Sequence, residues 1–186
     1  ASVSKQFTAM AIMILQQQGK LNYNDAITKY LPELSYKNVT VKNLVYHTSG
    51  LADYLELVEE NLDTKKTLTN KDIIALFAKK KPKLVFMPGA KYEYSNTGYA
   101  FLASIIEKAS GKTFDQFVTE NIFKPANMAN SFVCNEQNLK NHSNTRVYGY
   151  ELKKNNYKSD DLTYLDGIVG DGGIYSTVED LLKWDQ

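Results

Sequence analysis

Ser2-Val3-Ser4-Lys5 sets a hydroxyl and a primary amine three residues apart at the start of an apolar stretch. On a helix, positions i and i+3 share a face, so Ser2 and Lys5 meet. A serine hydroxyl is a poor nucleophile until a base takes its proton, and a lysine amine serves as that base only where burial or neighbouring cations bring its pKa down from about 10.4. A helix start adds free N–H donors and a positive dipole end, which favour an oxyanion at Ser2 and make the Ser2 N–H a candidate donor to it. Ser4, adjacent to Lys5 and off its face, is the weaker nucleophile. Far along the chain, Tyr94-Ser95-Asn96 offers a phenol and an amide two residues apart, just before a helical stretch. In extended backbone Tyr94 and Asn96 point the same way while Ser95 turns aside, so the sequence permits a four-group site of Ser2, Lys5, Tyr94 and Asn96.

The elements that must position these groups are mostly helices. Val3, Phe7, Met10, Ala11 and Ile14 keep helical spacing and Ile12 and Met13 add apolar groups elsewhere, predicting a first helix over 2–18 buried nearly all round, stopped by Gly19. Leu21 to Leu31 reads as a short helix closed by Pro32, and Thr40 to Tyr46 as another that ends before Ser49-Gly50. Thr69 with Asp72 forms a capping box for Ile73 to Ala78, which runs out in the solvated cluster Lys79, Lys80, Lys81 and Lys83. Pro88-Gly89 marks a turn, Ser95 and Asn96 offer caps, and Tyr99, Leu102, Ile105, Ile106 and Ala109 carry a helix to Gly111. Thr113 with Gln116 opens the next, through Phe117 to Ile122. Residues 135–165, rich in Asn, Lys, Tyr and Asp, read as a surface excursion with at most a hairpin near Val147 to Leu152. Gly170-Asp171-Gly172-Gly173 is a tight turn, and Ser176 with Glu179 caps a final helix ending at Trp184. The text is predominantly helical.

Composition removes other classes of function. With 22 basic against 21 acidic side chains and a formal charge of +1, the chain offers no field for nucleic acid or an anionic lipid surface. The apolar run Phe7 to Leu15 lacks a cleavage-site pattern and is too short to span a membrane. Cys134 is the only cysteine, without a neighbouring cation, and reads as a small buried hydrophobe rather than a nucleophile. His47 and His142 stand in unrelated contexts and no metal-ligand spacing exists; Asp160, Asp161 and Asp166 match no calcium loop. Ser110-Gly111-Lys112-Thr113 imitates the end of a phosphate-binding loop, but Ile106 stands where that loop needs glycine. Tyr148, Tyr150 and Tyr164 are assigned to a substrate rim.

Four blocks, in order, carry a resemblance: Ser2 through Thr8, Leu44 through Leu51, Pro88-Gly89 followed by Tyr94 through Tyr99, and Gly172 through Thr177. The chain resembles the serine β-lactamase and penicillin-binding-protein family, in particular its class C β-lactamase-like branch with carboxypeptidase and esterase relatives. The resemblance implies Ser2 as acyl-accepting nucleophile, Lys5 as its proton partner, Tyr94 as a proton shuttle to the leaving group and Asn96 as a holder of the substrate's amide side chain. It implies no cofactor or metal, an extracytoplasmic home, and β-lactam, D-amino-acid peptide or small ester substrates.

The family pattern has a third element, Lys or His, a small residue and Gly, on a strand following everything seen here. His47-Thr48-Ser49-Gly50 precedes Tyr94 and reads as a structural helix end; Lys112-Thr113 lacks the following glycine. The resemblance therefore implies that 1–186 is a partial domain, mainly α: the nucleophile helix 2–18, a helical domain over about 20–165, and the Gly-rich turn and start of a final helix over 170–186. Most of the antiparallel sheet of the family's α/β plus all-α fold is missing, and the piece is expected to be catalytically incomplete. The alternatives are a non-catalytic binding or scaffold protein, in which Ser2 and Lys5 are an ordinary cap and a snorkelling lysine, and a helical subdomain that associates through the edge left by the absent sheet.

Overall fold

The computed structural model describes all of residues 1–186. Its centre is helix α5 (Asn96–Ser110), in which every residue from Thr97 to Ile106 is buried. That follows from its composition, since Tyr99, Ala100, Phe101, Leu102, Ala103, Ile105 and Ile106 leave no polar face. Ser95 Oγ caps the helix by accepting the Gly98 N–H at 3.0 Å, and Gly111 ends it at φ +73°.

Around α5 pack α1 (Lys5–Gln17), α2 (Val41–Val45), α4 (Asn70–Lys80) and α6 (Phe114–Val118), sharing one core of 35 buried residues that runs from Phe7 to Ile168. A 3-10 turn, Ser2–Ser4, leads into α1. Phe7, Ala11, Ile12 and Leu15 face the core, but Val3 and Met13 are more than half exposed, so α1 is buried on one side rather than all round. Phe7 sits edge-on to Phe123 and against Trp184 of α8 (Val178–Asp185), which ties the two ends of the chain together.

Leu21 to Leu31 is not a helix. Asp25 accepts from Asn22 N, Lys29 Nζ and Tyr30 OH, and Ile27 N–H bonds to Val39 O, so these groups take bonds that a helix would need and leave only a 3-10 turn at Ile27–Lys29. Helix α3 (Tyr54–Asn61), unread in the sequence, is capped by Asp53, and α7 (Glu136–Asn141) by Asn135, inside the stretch expected to be irregular. The expected hairpin is present as β2 (Tyr150–Lys153) and β3 (Asn156–Ser159), with Lys154 and Asn155 at positive φ in the two-residue turn. Strand β1 (Phe132–Val133) pairs antiparallel with β4 (Ile174–Tyr175), Phe132 opposite Tyr175. The cap of α8 is Thr177, which accepts the Asp180 N–H, and not Ser176, whose hydroxyl meets that of Ser131.

Candidate active site

Ser2 lies in the 3-10 turn and Lys5 opens α1, so their i,i+3 relation is realised: Lys5 Nζ donates to Ser2 Oγ at 3.1 Å. The same ammonium donates to Asn96 Oδ1 at 2.9 Å and to the carbonyl oxygen of Asp171 at 2.7 Å. Its three protons thus have three acceptors, drawn from three separate segments. Tyr94 OH donates to Ser2 Oγ at 2.6 Å, and its ring lies 4.8 Å from Lys5 Nζ. All four groups singled out in the sequence come together. Ser2 is exposed and Tyr94 is 47% exposed, whereas Lys5 is only 6% exposed, so the hydroxyls face solvent while the amine stands behind them.

Asn96 is the first residue of α5, and the extended backbone of Ser95 before it turns the Ser95 hydroxyl into the cap and leaves Tyr94 and Asn96 on the Ser2 side. With Asn96 Oδ1 held by Lys5, its Nδ2 is the end left for another partner. Ser4 is buried and accepts the Ile174 N–H at 3.1 Å, a structural bond that removes it as a nucleophile.

The Gly170–Gly173 turn brings the Asp171 carbonyl to Lys5 and is clamped from several sides. Thr8 Oγ1 donates to Gly170 O at 2.7 Å, and Asn70 holds Val169 at both its carbonyl and its N–H. Gly170 adopts φ +100°, and a Cβ there would meet Tyr99 O at 2.6 Å and Ala103 Cβ at 2.7 Å, so only glycine allows the turn this close to α5. Tyr54 OH donates to Asp171 Oδ2 at 2.7 Å. Burial pushes the Asp171 carboxyl above the usual carboxylate range, against the pull of the Tyr54 hydroxyl and the Lys5 charge. Burial first, and then Asp171, raise the Tyr54 phenol in turn.

Three residues beside the site were not assigned to it from the sequence. Tyr54 and Asp171 carry no local signal, since they meet only through the fold. His47, read as a structural helix end, follows α2 at φ +56°, and its ring is stacked on Tyr94 at 4.7 Å and on Tyr99 at 4.9 Å. Burial, and then the Lys5 charge, hold its imidazole below the ordinary histidine value.

The remaining expectations lie away from Ser2. Cys134 is buried and its thiol is pushed up to about 11 by burial. Tyr148 OH donates to Ser143 O, Tyr150 is on the hairpin and Tyr164 packs toward Glu59; none of the three bonds to the Ser2 group. A concavity of about 890 Å3, lined by residues such as Lys71, Ile74, Ser104 and Thr113, contains none of the four.

The family model described as Beta-lactamase matches residues 1–186. The chain is 39% identical over 199 residues to penicillin-binding protein 4* of Bacillus subtilis (strain 168), covering 100% of this chain and 43% of that protein. It is similar in structure to a penicillin-binding protein from Bacillus halodurans, with a TM-score of 0.82, 32% identity, and coverage of 99% of this chain and 56% of the other. It is similar also to the D-amino acid amidase from Ochrobactrum anthropi SV3 complexed with L-phenylalanine amide, with a TM-score of 0.78, 26% identity, and coverage of 99% and 52%. The chain spans less than half the length of the curated relatives it matches first.

Proposed function

Because the chain belongs to the serine β-lactamase and penicillin-binding-protein family, whose members are serine hydrolases, we propose that Ser2 is an acyl-accepting nucleophile served by Lys5 and Tyr94. The observation that carries this reading is the position of Ser2 Oγ, 3.1 Å from Lys5 Nζ and 2.6 Å from Tyr94 O. A hydroxyl between two proton carriers is in reach of a base as it attacks and of an acid as the leaving group departs.

In this reading the Lys5–Tyr94 pair enters the step one proton short of the resting ammonium and phenol; Ser2 Oγ bonds to a carbonyl carbon, whose π electrons move to the oxyanion, as the Ser2 proton fills that vacancy in the pair. The same pair protonates the departing nitrogen or oxygen, and water, activated there in turn, releases the acyl group. Asn96 Nδ2 donates to the carbonyl of the substrate's amide side chain. The Ser2 N–H, at the start of its turn, is one oxyanion donor. No cofactor or metal takes part. The substrate class is an acyl derivative of the β-lactam, D-amino-acid peptide or small ester kind; the amidase named among the structural neighbours supports the D-amino-acid side of that range. The family sheet, its strand-borne third motif and the second oxyanion donor are assigned to the portion of the family's length outside these residues. Likeness to penicillin-binding proteins supports a location outside the cytoplasm; no helix is long and apolar enough to cross a membrane.

The test is intact-mass measurement after incubation with a penicillin and, separately, with a fluorophosphonate, beside Ser2→Ala. A stoichiometric adduct absent from Ser2→Ala is the expected result. An adduct of equal size on both proteins, or none on a folded wild type, would remove Ser2 from the role within these residues.

A further inference from the structure

His47 grips the segment that carries Tyr94 from both sides. Its carbonyl accepts the Glu93 N–H at 2.8 Å, and its ring Nδ1 accepts the Ser95 N–H at 3.0 Å. Tyr94 is therefore bracketed between two hydrogen bonds to a single residue, with its own ring stacked on the imidazole at 24°. On the imidazole's account, Tyr99 stacks at 28° with its hydroxyl fixed on Val45 O at 3.0 Å, and Tyr92 approaches edge-on at 5.7 Å. The left-handed backbone of His47 is one that a non-glycine residue keeps only where its surroundings over-determine it.

An Nδ1 that accepts a hydrogen bond has a lone pair, so the ring is neutral with its proton on Nε2. Protonating Nδ1 would set one donor against another at 3.0 Å and end the bond to Ser95. We propose that neutral His47 is the positioning residue that keeps the Tyr94 hydroxyl on Ser2, and that its protonation loosens Tyr94 from the nucleophile. This rests on the reading of Ser2 and Tyr94 given above. The groups facing the ring are one cation, Lys5, and the phenols of Tyr92, Tyr94 and Tyr99; the Glu93 carboxylate is turned onto Lys91 Nζ at 2.7 Å. Burial and the Lys5 charge both oppose protonation, so the latch is closed at neutral pH and opens as pH falls below the ordinary histidine range.

The experiment is a titration of the 186-residue chain from pH 8 to pH 4, following the His47 ring nitrogens, the Ser95 amide and the Tyr94 ring protons by NMR. All three are expected to move with one midpoint. His47→Asn puts an amide oxygen where Nδ1 accepts, suits the left-handed backbone and does not titrate; its Ser95 amide is expected to stay in place over the same range. His47→Phe keeps an aromatic ring and lacks the acceptor, so its Ser95 and Tyr94 signals are expected to be displaced at every pH. Fluorophosphonate labelling of the wild type is expected to slow about tenfold through that midpoint, the size of one neutral hydrogen bond, and His47→Asn to lose that step. Ser95 and Tyr94 signals that ignore the His47 titration would overturn the proposal even if neither variant folds. So would a labelling step unchanged in His47→Asn. A wild type that is never labelled, yet shows the common midpoint, would remove the nucleophile assignment and leave the latch standing.

Discussion

Tyr94 gives Ser2 its shortest hydrogen bond and stands on the solvent side, where the proposed reaction would release its leaving group. Tyr94→Phe removes only the phenolic oxygen, and acylation measured by mass is expected to slow by ~10²–10⁴, the usual cost of losing a general acid or base. Asp171 makes a different prediction. Its folded pKa is raised, so the carboxyl favours its proton in the folded state; stability from this group is full below the unfolded value of about 3.9 and is lost as pH rises through the folded one. Asp171→Asn keeps an oxygen for Tyr54 and removes the buried charge. Its Tm is expected to rise by about 2–4 °C at pH 7, the effect of ~1 kcal/mol in a domain of this size, with no gain near pH 3. At this scale the sequence displayed Ser2, Lys5, Tyr94 and Asn96 because each pair obeys a local rule, i,i+3 on a helical turn or i,i+2 across extended backbone. Tyr54 and His47 obey none: their partners lie 117 and 48 residues away.

At the scale of elements, the Gly170–Gly173 turn has little freedom, since it must pass α5 closely enough to present the Asp171 carbonyl to Lys5. Gly170→Ala would force a side chain into Tyr99 O and Ala103 at a φ that side chains avoid; a loss of ~2–4 kcal/mol in urea unfolding is expected. A Gly172→Ala control has open space around its Cβ and is expected to leave the unfolding midpoint nearly unchanged. The elements legible in advance were those announced by their ends. Thr69 with Asp72 and Thr113 with Gln116 form the capping boxes read from the text, and Ser95 and Gly111 bound α5. The misses have local causes. Ser176-x-x-Glu179 and Thr177-x-x-Asp180 are the same pattern one residue apart, and only the burial of Asp180 on Ser131 and Asn130 selects the second. Helix α7 has no buried residue, so no apolar periodicity could mark it.

Over the whole molecule, one 35-residue core joins α1, α4, α5 and α6, and no element that carries a site residue has a core of its own. Cys134, directly after β1, is buried with a thiol raised to about 11. Iodoacetamide is therefore expected to leave native Cys134 unmodified at pH 8 and to react with it at the rate of unfolding or local opening, which alkylation followed by mass against urea concentration would read. The near-zero net charge argued against a nucleic-acid partner and the helical spacing against a sheet-rich reading, and strand pairing is confined to two separate pairs with strands two to four residues long. The three acceptors around Lys5 lie 3, 91 and 166 positions along the chain from it. Closing loops of such unequal length is slow for the longest, so a refolding chain regains its helices before it regains this ammonium cage. On the proposed role of Ser2, labelling by an acylating compound is expected to report, in a refolding chain, on the contact between Lys5 and the Asp171 carbonyl, 166 positions apart, and not on the recovery of the helices that circular dichroism follows.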